Sequence, residues 1–171
     1  MTNSEFSDVF LHHKDVLYRF AFRMTGSSSI AEDVVQDCFL VLWSKPHAYD
    51  SSLGTVRAFL VGIARNLILK RWRDERPHEP LDEESFVCGP IDLVIGERAE
   101  AVATAVRMLP ALQRESLILA EYEEMSLREI CVATESELAA VKSRIHRARQ
   151  NLRRMLAPWL EGRSHACSTR G

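Results

Sequence analysis

The chain has 171 residues, 46% of them hydrophobic and 27% charged, with a formal net charge of −2. That size and apolar content suit one medium domain or two small helical ones and exclude a disordered chain. The near-neutral total gives no overall pull toward nucleic acid, and no apolar run approaches the roughly 18–20 residues of a membrane span.

Met1–Asp8 is polar and has no signal-peptide pattern, so a cytoplasmic location without membrane insertion is expected. Cys38, Cys88, Cys131 and Cys167 are far apart and form no C-x-x-C pair, which argues against a zinc knuckle or a disulfide framework. The placement of charge says more than its sum. From Arg57 to Arg76 six Lys or Arg face two acids, and from Glu79 to Glu100 seven acids face one Arg. No acid occurs from Leu138 to Leu160, where Lys142 to Arg154 is purely basic. Two basic elements therefore flank an acidic connector.

In chain order, Phe6, Val9, Phe10, Val16, Leu17, Phe20, Ala21 and Met24 have helical spacing and predict an amphipathic first helix. Gly26 suits its left-handed end and Ser29 the N-cap of a second helix from about Ile30 to Trp43. The inner stripe of that helix is expected to be Ala31, Val34, Val35, Cys38, Phe39 and Leu42, leaving Glu32, Asp33, Gln36 and Asp37 outside. Ser44–Gly54 is dense in Ser, Pro and Gly and reads as a loop, with Tyr49 as a core contact. A third helix spans about Val56 to Glu75. Phe59, Leu60, Ile63, Leu67 and Trp72 are its expected buried side, and Arg57, Arg65, Asn66, Lys70, Arg71 and Arg73 its cationic remainder.

Pro77–Pro80 ends the third helix and opens a linker of about 20 residues with the turn signals Cys88-Gly89-Pro90 and Gly96. A fourth helix is predicted over Glu97–Met108, and a fifth from Pro110, in its first turn, to about Tyr122. Ser126 and Glu129 have capping-box spacing before a short apolar face made by Leu127 and Ile130. Thr134-Glu135-Ser136 breaks the pattern, with Ser136 as the expected N-cap of a helix over Glu137–Met155. There Leu138, Val141, Ile145, Ala148 and Leu152 form one stripe. Ser143, His146, Arg147 and Gln150 lie opposite, with Lys142, Arg144, Arg149, Arg153 and Arg154 nearby. Short helix, tight turn and long basic helix make a helix-turn-helix whose back is shaped for a DNA groove. After Pro158 the tail is expected to fray.

Two strings sharpen this reading. Leu109-Pro110…Gln113-Arg114-Glu115, Met125–Ile130 and Val141-Lys142-Ser143-Arg144-Ile145-His146-Arg147-Ala148-Arg149 resemble the −35-binding domain of extracytoplasmic-function sigma factors. Tyr18–Ala21, Thr25-Gly26, Ala31–Phe39 and Trp43 resemble the core of sigma region 2, and Val56–Leu67 its −10 recognition and melting segment. The resemblance implies an all-α chain of two small helical domains joined by a flexible acidic linker. Its parts are region 2 over 1–76, a linker over 77–97, region 4 over 98–157 and a tail over 158–171.

It also implies partners and sites. The partners are core RNA polymerase, through the clamp helices of its largest subunit and its flap, promoter DNA, and an anti-sigma factor. Asp33, Gln36 and Asp37 would dock on the polymerase, although acids on a solvated helix face need no partner. Arg57, Arg65, Asn66, Lys70, Arg71 and Arg73 would engage the −10 region, with Asn66 equally suited to a structural bond. The loop after the second helix would receive an extruded base. Lys142, Ser143, Arg144, His146, Arg147 and Arg149 would read the −35 element. The acidic linker would thread a basic polymerase channel or simply stay solvated.

The chain departs from the family at two points. Thr134-Glu135 stands where a Leu-Gly pair is usual, and Ala139-Ala140 where Gly-Thr is usual; the fold is expected to survive both, and which −35 bases are read, and how tightly, stays open. No catalytic residue, cofactor or metal site is expected, since no nucleophile–base pair or ligand cluster occurs and His165 with Cys167 offers only two ligands. The rivals are a stand-alone DNA-binding regulator and a sensor that switches through Cys88 or Cys167.

Overall fold

The computed structural model describes residues 2–78, 81 and 98–161, with the side chains of 160 and 161 left aside. The threaded linker, the switch at Cys88 or Cys167 and the His165–Cys167 pair lie outside the described residues. No strand occurs among the described residues.

Helix α1 covers Asn3–Thr25 and opens on a capping box in which Thr2 and Glu5 satisfy each other's backbone amides. It closes at Gly26, whose φ of 72° is left-handed and whose amide donates to the Phe22 carbonyl at 2.7 Å. Because the chain turns at once there, the extended residue that follows is the first able to cap. Ser27, rather than the expected Ser29, accepts from the Ile30 amide, and α2 runs over Ser28–Ser44. After a single 3-10 turn at Pro46–Ala48, Thr55 caps α3, Val56–Glu75. Tyr49 is half-buried against Phe59, with ring centroids 5.5 Å apart, and its hydroxyl donates to the Gly54 carbonyl.

The elements described after α3 are helical as well. Helix α4 is Arg98–Met108, and α5 is Ala111–Leu117, with Pro110 at its N-cap rather than inside the first turn. Helix α5 widens into a π-helical turn over Ile118–Tyr122, where the Glu123 amide reaches back to the Ile118 carbonyl. Helix α6, Leu127–Thr134, starts on the Ser126–Glu129 capping box. Helix α7 is Leu138–Met155, and α8, Ala157–Glu161, continues from it with Pro158 in the first turn, where its missing N–H is harmless. The tail therefore begins helically rather than frayed.

The two helical domains share one core. Helices α1, α2 and α3 pack on each other, α5, α6 and α7 do the same, and α3 lies directly against α6. This two-sided burial changes which residues of α3 are inside. Ala58, Leu60, Val61, Ala64, Ile68 and Leu69 are buried, whereas Phe59, Ile63, Leu67 and Trp72 are only half-buried. A single stripe was the wrong template for a helix covered by α1 and α2 on one side and by α6 on another. Within α2, Val35 is half-buried rather than inside.

The stripe of α7 is displaced toward its C-terminal end because the helix packs on α5 as well as α6. Leu138 stays 46% exposed and Leu152 half-buried, while Asn151 and Met155 are inside. Asn151 donates to the buried Gln113 side chain at 2.9 Å, which satisfies both amides away from water.

Ser136 does not cap α7. Its hydroxyl donates to the Thr134 carbonyl at 3.0 Å and accepts from Arg144 at 2.8 Å, so Glu137 takes the N-cap position without a side-chain bond. Glu135 ends α6 at φ 49°, in the left-handed region that disfavours a β-carbon. Glu135→Gly should therefore raise the unfolding free energy by about 1 kcal/mol, read from the urea midpoint at unchanged slope. A lower midpoint would mean that the turn holds Glu135 without strain.

Candidate nucleic-acid interface

The exposed back of α7 carries Lys142, His146, Arg149, Gln150, Arg153 and Arg154, with Ser143, Arg144 and Arg147 half-buried. The expected −35 residues thus share one side of one helix, but four of the six, Ser143, Arg144, Arg147 and Arg149, have bonds within the protein. Arg144 donates to Ser136 and steadies the turn. Arg147 donates to Ser143 at 2.8 Å, one turn earlier. Arg149 pairs with Glu121 of the π-helical turn. Lys142 and His146 stand exposed between them.

The expected −10 residues do not share one face. Asn66, Lys70 and Arg73 are spaced by four and three residues along α3 and all are exposed. Arg71 lies elsewhere, 3.9 Å from the Asp33 carboxylate and 3.8 Å from that of Glu75. Arg57 and Arg65, eight residues apart, point the remaining way and meet the second half of the chain. Arg57 donates to Glu129 at 3.0 Å and to the Glu123 carbonyl at 3.4 Å. Arg65 donates to the fully buried Glu115 at 2.8 Å and to the Asn66 side chain at 3.2 Å. Asn66 therefore has the structural bond considered for it.

More contacts tie the same two halves. Glu123, its side chain 1% exposed, accepts from Arg19 at 2.9 Å and Arg23 at 3.2 Å. The bond to Glu123 holds Arg19 above its ordinary pKa despite partial burial. Arg114 donates to the Met24 carbonyl at 2.6 Å, and its guanidinium lies 5.1 Å from the centre of the Trp72 ring. Trp72 is thus an interface residue here, not an open stacking platform. At Gly62 a β-carbon would lie 3.2 Å from the Ala133 carbonyl oxygen of α6. Glycine inside a helix costs about 0.5–1 kcal/mol against alanine, and the close approach of α6 is the reason for it.

On α2, Asp33, Gln36 and Asp37 are exposed together. They line a shallow cleft of about 420 Å³ with Lys70, Arg71, Asp74 and Glu75 of α3. Gln36 also borders a larger apolar groove of about 840 Å³ between α1 and α2, formed by Phe6, Phe10, Phe39, Leu40 and Trp43. Leu40 is 56% and Trp43 51% exposed. Sequence reasoning missed this groove, although the change on the outer face of α2 from polar residues at 32–37 to Leu40 and Trp43 was a usable signal.

Among the described cysteines, Cys38 is buried, and burial followed by the charge of Asp37 pushes its thiol up to about 12. Such a thiol supplies almost no thiolate at neutral pH and is no redox switch. The described residues contain no group of three metal-ligating side chains and no helix long and apolar enough to cross a membrane.

Comparison with known proteins accounts for most of this layout. The family model for Sigma-70 region 2 matches residues 9–78, and that for Sigma-70, region 4 matches residues 99–152. The ECF RNA polymerase sigma factor SigW of Bacillus subtilis is 30% identical, with 88% of each chain covered. The ECF RNA polymerase sigma factor RpoE of Cereibacter sphaeroides is 28% identical, covering 89% of this chain and 86% of its own. Among solved structures, the sigma factor RpoE in complex with the anti-sigma factor NepR from Bartonella quintana superposes with a TM-score of 0.68 at 27% identity. It covers 90% of this chain and 97% of that one.

Glu129 offers a pH test of two sets of bonds together, the α6 capping box and the pair with Arg57. Burial pushes its carboxyl up, but the Ser126 amide, the Arg57 guanidinium and the Ser126 hydroxyl outweigh that and hold it below the ordinary value of 4.5. A depressed folded value means stability that is present above the unfolded value and lost as pH falls through the folded one. Glu129→Gln should lower stability by about 1 kcal/mol at pH 7. The difference from the unaltered chain should shrink below about pH 4.5. A gap that stays constant into acid would mean that neither the capping box nor Arg57 favours the ionised carboxyl.

Proposed function

The chain belongs to the extracytoplasmic-function sigma factors of bacterial RNA polymerase, and from that premise we propose how its surfaces divide promoter recognition. Residues 1–76 act as the unit that docks on core polymerase and engages the −10 region. Residues 98–157 act as the −35 reader, with 77–97 as the connector and 158–171 as a tail. Support comes above all from two matched regions in family order on one chain, each with its polar face exposed.

Asp33, Gln36 and Asp37 on α2 meet the clamp helices of the largest subunit, and the neighbouring apolar groove extends that surface. Asn66, Lys70 and Arg73 meet −10 DNA from their common face of α3, joined by Arg57, Arg65 and Arg71 once their protein partners release them. Each cation that meets a phosphate displaces counterions, so binding is steeply salt-dependent. Helix α7, about 27 Å long at 1.5 Å per residue, lies in the major groove at the −35 element. Lys142, Ser143, His146 and Arg147 read base edges there, while Arg144 and Arg149 hold the helix to its turn and to α5 as well as facing phosphate.

Bond formation belongs to the polymerase, and the chain itself performs no chemistry. Its place of action is the cytoplasm, where its partners work. An anti-sigma factor is the expected regulator, since the similar RpoE chain is held by NepR.

Run-off transcription tests this reading. The purified chain, sigma-free core polymerase and fragmented genomic DNA of its host should give transcripts that start at discrete sites behind a shared two-part element. Sequence-selective DNA binding without transcripts would make it a stand-alone regulator. Arg147→Ala should weaken −35 binding by about 1–3 kcal/mol, chiefly at one base pair. An equal loss on every sequence would make Arg147 a phosphate contact.

A further inference from the structure

We propose that Ala139 is a base-reading residue of α7: its methyl group meets the 5-methyl group of a thymine in the major groove of the −35 element. The proposal rests on the promoter-recognition reading above and adds to it a specificity-determining residue and the base it selects.

Ala139 lies four residues before Ser143 and seven before His146. Seven residues make two turns with a drift of only about 20°, so Ala139 stands in line with His146, about 10.5 Å nearer the start of α7. That line faces away from the buried Val141, Ile145 and Ala148, and Ala139 is exposed on it. Leu138, the larger apolar side chain of the same turn, lies toward the edge of the buried stripe instead, and Ala140 is half-buried. The first turn, Leu138 to Ala140, holds no cation or hydroxyl for a phosphate, and the exposed Glu135 and Glu137 ahead of it repel one. A base edge is what remains for Ala139 to meet. The methyl of thymine is the apolar group that base pairs show in the major groove, and alanine is among the side chains that match it. Recognition helices use their first turns for base contacts.

A methyl contact requires a fixed approach, and the turn before α7 supplies one. Thr134 donates to the Ile130 carbonyl at 2.7 Å, Ser136 to the Thr134 carbonyl at 3.0 Å, and Arg144 to Ser136 at 2.8 Å. The start of α7 is thereby held on α6. Alanine favours a helix on any DNA, whereas a contact with thymine makes its methyl matter at one base pair.

Removing one methyl group at a time tests the contact. Duplexes would carry the −35 element found by run-off transcription, with each thymine in turn replaced by uracil, which lacks only the 5-methyl group. The full chain on core RNA polymerase should bind about fourfold more weakly at one such position, the loss expected for a buried methyl group. In Ala139→Gly that thymine-to-uracil ratio should fall to about one, because the two methyl groups make the contact only together. The ratio is taken within each chain, so any general loss from glycine in the helix cancels. A ratio of one at every thymine in the unaltered chain, or an undiminished ratio in Ala139→Gly, would overturn the proposal. A −35 half without an A·T pair would overturn it as well. Lack of transcript from the unaltered chain would instead count against the promoter-recognition reading. The same ratio on DNA fragments that the chain binds alone would then still decide the contact, and a chain that binds none would overturn both.

Discussion

Three glutamates from the second half of the chain pair with four arginines from the first. Glu115 meets Arg65, Glu123 meets Arg19 and Arg23, and Glu129 meets Arg57. A carboxylate withdrawn from water is tolerated only when a cation or donors replace its hydration. Glu115 and Glu123 have almost no exposed side-chain surface, so in this arrangement each is bound to its partner. The other contacts between the halves follow from that docking: the glycine-thin seam between α3 and α6, the Arg114 cover on Trp72 and the continuous apolar core.

The pairing creates an asymmetry between the two basic helices. Helix α7 keeps Lys142 and His146 open, and its own partners, Ser136, Ser143 and Glu121, lie in the same domain. Helix α3 has two of its arginines bound across the seam.

Much of the fold was legible from local chemistry. The capping box at Ser126 and Glu129, the left-handed Gly26 and the bounds of α3 depend on neighbours within a turn or two, and periodicity reads those well. The misplaced features depend on distant residues. Ser136 looked like a cap but is claimed by Arg144, and the buried side of α3 was misjudged because α6 covers a second face. Of the candidate site, the basic back of α7 was visible because charge and spacing coincide within one helix. The partners of Arg57 and Arg65 were not, since they lie 72 and 50 residues away and a charged side chain does not name its partner. Gly62 was the one local hint: a glycine in the middle of a strong helix needs a close neighbour.

Small-angle scattering of the free, unaltered chain tests the docking of the two halves most directly. One compact body of 171 residues should have a radius of gyration near ~16 Å and a single-peaked distance distribution. A radius several ångströms larger with a second peak, as two separated domains on a tether give, would contradict a chain closed by its own glutamates.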